Sequence, residues 1–242
     1  MVELSVEETR DLLTDSHLAY QTEINDLLLT ALVLSLRDWG RIQSIAIDLE
    51  GHGREEIIDG VDLTRTIGWF TSMYPMMFDE RFEGVSQGIK MVKETLRYVP
   101  NKGIGYGLLK YMMHKAVLSS QLRPEISFNY LGQFQQGQGE GLGQSSIPTG
   151  QAVSPATTSS YALSINGMVV NGKLKMIFGY NPHQFELSSV EEAANRYKQQ
   201  LLNIISHCMG QEETERTPSD FSMDNLSFDE LDQIFESLKE KV

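Results

Sequence analysis

The chain has 242 residues, 40% hydrophobic, 9% aromatic and 22% charged, the make-up of a globular protein built as one large domain or two small ones. Its net charge of −13 comes without a basic patch, which argues against a phosphate backbone and so against nucleic acid as a partner. The longest apolar run, Leu27 to Leu36, is interrupted by Thr30 and Ser35 and is too short for a bilayer, so no membrane partner is expected.

The start, Met1-Val2-Glu3-Leu4-Ser5, lacks the basic and apolar regions of a signal peptide. A single cysteine, Cys208, rules out an internal disulfide and suits a reducing compartment, so a cytoplasmic protein is expected. The negative charge is uneven: from residue 211 to 242, ten acids face only Arg216, Lys239 and Lys241. A basic protein surface is the partner that suits such a tail.

In chain order, Ser5-Val6-Glu7-Glu8 has the spacing of a capping box and opens a short helix through about Tyr20. A second helix is predicted over 23–39. Ile24, Leu27, Leu28, Ala31, Leu32 and Ser35 recur at helical spacing, and Leu29, Val33, Leu34 and Leu36 make its other sides apolar. It is expected to be buried nearly all round and to stop at Gly40. Ser44 to Glu50 then alternates as a strand, with Ile45, Ile47 and Leu49 on one face and Ala46, Asp48 and Glu50 on the other.

Residues 66–75 are aromatic and β-prone, and Pro75 is expected to end that strand. Val85, Ile89, Val92, Leu96 and Val99 mark an amphipathic helix closed by Pro100, and the glycine-rich 101–107 leads into a helix through Leu118. Glu125 to Leu131 alternates again, setting Ile126, Phe128 and Tyr130 opposite Ser127, Asn129 and Leu131. Residues 133–155, rich in Gly, Gln and Ser, read as a long loop. Strands over 161–170 and 173–180 are joined by Asn171-Gly172, a strong hairpin signal.

A long helix follows from Ser188, with Glu191 completing another capping box. Val190, Ala194, Tyr197, Leu201, Ile204, Ile205 and Cys208 form its buried stripe. These elements give a first unit over 1–210. Residues 211–226 read as an acidic linker, and 227–242 as a last helix capped by Ser227-Phe228-Asp229-Glu230. Its stripe of Phe228, Leu231, Phe235, Leu238 and Val242 needs a partner, because so short a helix is marginal alone. The linker favours another protein in that role.

Two stretches carry chemistry. Glu50-Gly51-His52-Gly53-Arg54-Glu55 places carboxylates, an imidazole and a guanidinium on a turn that two glycines open to a ligand. The same pattern also fits a charged surface turn. Gly103, Gly105 and Gly107 could cradle a phosphate, but no strand precedes them. Close backbone packing or the lining of a narrow channel is the preferred reading. No metal site is expected.

Five stretches in order resemble the signature motifs of epimerization domains of nonribosomal peptide synthetases. They are Asn25-Asp26-Leu27-Leu28-Leu29-Thr30-Ala31-Leu32, Glu50 to Glu55, Arg65-Thr66-Ile67-Gly68-Trp69-Phe70-Thr71-Ser72-Met73-Tyr74-Pro75, Lys102-Gly103-Ile104-Gly105-Tyr106-Gly107, and Phe128-Asn129-Tyr130-Leu131-Gly132. The resemblance implies an α/β (α+β two-layer sandwich) fold, the C-terminal lobe of a chloramphenicol-acetyltransferase-like, condensation-domain-like two-lobed architecture. The tail, with Thr217-Pro218-Ser219-Asp220-Phe221-Ser222 before its helix, resembles a donor docking segment. The family's His-His-x-x-x-Asp-Gly motif, which belongs to an N-terminal lobe, has no counterpart: His17, His52, His114, His183 and His207 are all isolated. An N-terminal lobe is therefore an expected partner.

The implied reaction inverts the α-carbon of an aminoacyl or peptidyl thioester carried on phosphopantetheine of a peptidyl carrier protein, with no cofactor bound directly. Such chemistry needs a base, stabilisation of the enolate and an acid on the other face. Glu50 is the expected acid–base group. His52 is either a second acid or base or a structural donor. Asn129 and Tyr130 could reach the thioester carbonyl or tune Glu50, but alternation lets at most one face the cleft. Arg54 is expected to pair with Glu55 or the neighbouring strand, and Trp69 to be core more than substrate wall. Gly103, Gly105 and Tyr106 are assigned to a channel or to structure. Phe228, Leu231, Phe235 and Leu238 would dock a downstream synthetase, and the lobe alone would be inactive. A pure interaction module and a condensation-type acyltransferase remain alternatives.

Overall fold

The computed structural model describes residues 1–40, 42, 44–79, 82–113, 123–134, 150, 154, 157–221 and 226–239. The Ser5 hydroxyl accepts the Glu8 N–H at 3.1 Å, and the Glu8 carboxylate accepts the Ser5 N–H at 2.7 Å. This capping box opens α1 (Val6–Leu13), which gives way to a 3-10 turn at Asp15–His17 well before Tyr20. In α2 (Ile24–Gly40) the whole run from Asp26 to Leu36 is buried, as its all-round apolar sequence requires. It forms the middle of a helical layer, packed against α3 (Gly84–Arg97) and α5 (Leu187–Met209).

The other layer is one six-stranded sheet in the order β1-β6-β5-β4-β2-β3. Its strands are β1 (Val2–Glu3), β2 (Ser44–Gly51), β3 (Ser72–Asp79), β4 (Ile126–Phe134), β5 (Leu163–Val170) and β6 (Lys173–Tyr180). β2, β4 and β5 run parallel, and the remaining pairs are antiparallel. Alternate residues such as Ile45, Ile47, Leu49, Phe128, Ile165 and Phe178 join the helices in a single core. The result is the expected α+β two-layer sandwich. No helix of the described residues is long and apolar enough to cross a membrane.

Asn171 and Gly172 both take positive φ, 53° and 74°, as a tight hairpin between β5 and β6 requires. The expected stripe of α5 is buried in full, Cys208 included, and burial pushes its thiol up to about 12. The start of α5 differs from expectation. It begins at Leu187 after Glu186, with no side-chain cap, so Ser188 and Glu191 form no capping box.

Pro75 does not end β3 but sits inside it, opposite Asp48. β3 is the edge of the sheet, where positions whose N–H side faces solvent accommodate proline. The glycine-rich stretch is not one regular helix either. A 3-10 turn at Pro100–Gly103, with Asn101 and Lys102 at φ 47° and 48°, leads to the short α4 (Ile104–Gly107) and a π-helical turn at Leu108–Met112. The remainder of the helix predicted through Leu118 lies outside the described residues, as does most of the loop predicted over 133–155. Gln133 and Phe134 belong to β4.

The expected linker is held down at its centre. Lys93, only 1% exposed, donates to both carboxylate oxygens of Asp220 at 2.6 and 2.7 Å and to the Tyr20 carbonyl at 2.7 Å. Asp220 also accepts the Thr217 N–H at 2.8 Å, Ser219 Oγ donates to Glu94 at 2.6 Å, and Glu215 N–H donates to Ala19 O at 2.8 Å. A polar sequence reads as solvated until the partners of its polar groups are known. Beyond it, α6 (Phe228–Lys239) starts with the predicted capping box, Ser227 and Glu230 exchanging backbone-to-side-chain bonds. Leu231 is 4% exposed and Phe228 half-buried, so this chain itself covers part of the stripe expected to await a partner. The side chains of Phe235 and Leu238 lie outside the described set.

Candidate functional site

The alternation of β2 separates core from site. Leu49 is paired with Tyr74 and Phe128 and is buried on the helical side, so Glu50, the next residue, leaves the opposite face. Asp48 is in register with Ser127, Ser127 with Ser164, and Asn129 with Asn166. These polar side chains share the face that the helices leave uncovered, with Glu50 at the carboxyl end of β2 and Asn129 near the middle of the parallel β4. Tyr130 takes the other side. It is paired with Gly167, where an added Cβ would lie 3.3 Å from its ring and 2.7 Å from Met176 Sδ, and it packs on the core. Burial pushes its hydroxyl up, which keeps it protonated. Of the two expected catalytic neighbours, only Asn129 therefore shares the face of Glu50.

After Glu50 the chain turns at Gly53, φ 63°, where any Cβ would overlap the Phe70 carbonyl. Arg54 explains why the loop lies so close. Its guanidinium stacks 4.5 Å from the Phe70 ring centroid and donates to the carbonyls of Leu63, Thr66 (2.8 Å) and Gly68 (3.3 Å). It pairs with neither Glu55 nor a strand, contrary to expectation, because the loop carbonyls take up its fork of donors. Glu55 instead meets His52 Nε2 at 3.3 Å, while His52 Nδ1 accepts the Arg54 N–H at 3.0 Å. With Nδ1 an acceptor, Nε2 carries the proton toward Glu55. His52 thus has a structural task within the turn.

Trp69 corrects a second expectation. It is 97% exposed, nearby Ile67 is fully exposed too, and neither is core. The half-buried aromatic of this loop is Phe70, its ring under Arg54 and its carbonyl against Gly53. Gly103, φ 79°, has no room for a side chain because a Cβ there would overlap the Tyr74 ring. That is the close backbone packing expected of the glycine-rich turn. Gly105 and Tyr106, with Tyr74, Pro75 and Leu109, line an open cavity of about 960 Å³ beside β3. Among the described residues no group of His, Cys, Asp and Glu could hold a metal.

The structure adds a pair that carried no assignment. Tyr161, two residues before β5, reaches across β4 and donates its hydroxyl to Asp48 Oδ2 at 2.8 Å. Burial, then the Asp48 carboxylate, with Tyr111 and Glu50 adding to it, pushes Tyr161 up to about 12. Alternation alone had put Asp48 beside Glu50. Nothing local could join it to a tyrosine 113 positions away.

Together, the sheet order, the helical layer on one face and the polar face with its glycine turn can be compared with known proteins. The family model for condensation domains matches residues 1–227. This chain belongs to the condensation-domain family. Gramicidin S synthase 1 of Brevibacillus brevis is 45% identical over 254 residues, covering all of this chain and 23% of that protein. Surfactin synthase subunit 2 of Bacillus subtilis (strain 168) is 46% identical over 243 residues, covering all of this chain and 7% of that protein. A solved structure, the epimerization domain from the third module of tyrocidine synthetase B, matches with a TM-score of 0.81 at 45% identity, over 88% of this chain and 48% of that one. The condensation domain from the monacolin K polyketide synthase MokA, at 13% identity and a TM-score of 0.55, shares the fold. This condensation-family chain thus spans about half of the similar epimerization domain and less than a quarter of the curated relatives named above.

Proposed function

We propose that this chain is the C-terminal lobe of an epimerization domain in a nonribosomal peptide synthetase, converting an L-aminoacyl or peptidyl thioester to the D form. The substrate would arrive on the phosphopantetheine of a peptidyl carrier protein, in the cytoplasm. The observation that carries the reading is the placement of Glu50 at a glycine-opened turn, on the helix-free face that it shares with Asn129. There a carboxylate can remove and return the α-proton, while hydrogen-bond donors such as the Asn129 amide can stabilise the enolate oxygen. The partner group for the other face belongs to an N-terminal lobe, so this lobe alone is inactive. The 45% identity to a solved epimerization domain supports this reading over a condensation-type acyltransferase, since condensation domains such as that of MokA share only the fold.

The test is to complete this chain with an N-terminal lobe and follow the stereochemistry of the carrier-bound amino acid. The completed domain should form D product, and Glu50→Gln should abolish it without unfolding the protein. Normal D-product formation by that variant would remove Glu50 from the mechanism.

A second role is favoured by α6, capped at Ser227 and acidic in its first turn. It would dock a downstream synthetase through a basic segment. Binding that weakens with salt and disappears when residues 227–242 are deleted would support that role.

A further inference from the structure

The helix-free face carries a carboxylate that the reaction above leaves without a task. Asp48 lies two residues before Glu50 on β2, a spacing that sends both side chains to one face with their origins roughly 7 Å apart. Tyr161 donates its only hydroxyl proton to Asp48 Oδ2 at 2.8 Å. Both residues are half-buried, so solvent and small groups still reach them. What this pair has left to offer is acceptor capacity alone: Asp48 Oδ1 and the lone pairs on Tyr161 Oη. No cation among the described residues forms an ion pair with Asp48.

The geometry points to Asp48 and Tyr161 as the residues that hold the α-nitrogen of the thioester substrate by its N–H donors while Glu50 works on the adjoining α-carbon. This rests on the epimerase reading and names what the same face recognises. The dimensions agree. A hydrogen bond of about 2.9 Å to nitrogen, an N–Cα bond of about 1.5 Å and an approach of about 3 Å by Glu50 make a bent path of at most about 7 Å between the two carboxylates, a gap that two side chains rising from one face at that spacing can leave. Anchoring the nitrogen and the carrier-bound carbonyl fixes two substituents of the α-carbon and directs its hydrogen at the base. An aminoacyl substrate would present an ammonium group and a peptidyl substrate an amide N–H. Both are donors, and the carboxylate favours the ammonium.

The test uses the completed two-lobed domain with carrier protein bearing an aminoacyl, an N-acyl aminoacyl or an N-acyl-N-methyl aminoacyl group, the last having no N–H. Deuterium exchange at the α-carbon is followed for Asp48→Asn and Tyr161→Phe. The expected result is a KM raised about tenfold for substrates with an N–H donor, a smaller change in kcat, and no change for the N-methyl control. Within that result, a larger loss with the aminoacyl group identifies the ammonium, and equal losses with the two N–H substrates identify the amide N–H. A loss of the same size on the N-methyl control marks the pair as structural and overturns the assignment. Unchanged KM on every substrate, with Glu50→Gln inactive, overturns it while leaving the epimerase reading intact. No exchange in the unsubstituted domain overturns that reading and the assignment with it.

Discussion

The carboxylates on the two sides of the sheet are treated differently. On the helical side, fully buried Asp26 receives Arg97 Nη1 and Nη2 at 3.0 and 2.7 Å, and Asp220 receives Lys93. On the open side Asp48 is met by a neutral tyrosine, and no ion pair involves Glu50 among the described residues. The difference separates structural charge from available charge. A buried carboxylate without a counterion would cost several kcal/mol, so folding requires a matched cation there. A half-exposed carboxylate carries no such requirement, because solvent still reaches it.

Substitutions can break or sharpen this contrast, beginning with the largest expected effect on stability. Asp220→Ala leaves Lys93 buried without its counterion and should destabilise the fold by about 3–5 kcal/mol in urea unfolding. A loss below about 1 kcal/mol would show that the helical-side pair is not structural. Gly53→Ala comes next, because a Cβ there overlaps the Phe70 carbonyl in a left-handed conformation. It should cost about 1–3 kcal/mol and speed proteolytic cleavage of the 56–71 loop, which Arg54 alone cannot then hold in place. Glu50→Gln should change stability by no more than about 0.5 kcal/mol while activity of the completed domain is lost. A large destabilisation would move Glu50 to the structural class.

The smallest effect concerns Cys208. Its thiol, raised to about 12, favours folding fully below the ordinary thiol pKa and loses that contribution only as pH rises toward 12. Native protein at pH 8 should therefore resist alkylation by iodoacetamide, and urea-unfolded protein should react. Rapid native labelling would mean that the α5 stripe opens readily.

Much of the fold was legible because local rules govern it. The Ser5 and Ser227 capping boxes, the all-round burial of α2, the Asn171-Gly172 hairpin and the α5 stripe each depend on spacings of a few residues. The site was legible in part for the same reason: period two places Glu50 opposite Leu49 and sets Asn129 apart from Tyr130. Trp69, Pro75 and Arg54 depart from the expectation because their surroundings come from elsewhere in the chain. Whether an aromatic points inward, whether a proline lies on an edge and which carbonyls a guanidinium reaches are questions of neighbours, not of pattern.

The sequence by itself determined which residues alternate, where helices start, and that a carboxylate, an imidazole and a guanidinium share one glycine turn. Tertiary structure alone decided that Tyr161 meets Asp48, that Lys93 clamps Asp220, and that Arg54 serves the loop. Periodicity and capping act over a few residues, where the chain's own geometry sets the outcome. Hydrogen bonds between distant segments depend on sheet order and register, which are settled only when the whole core is buried at once.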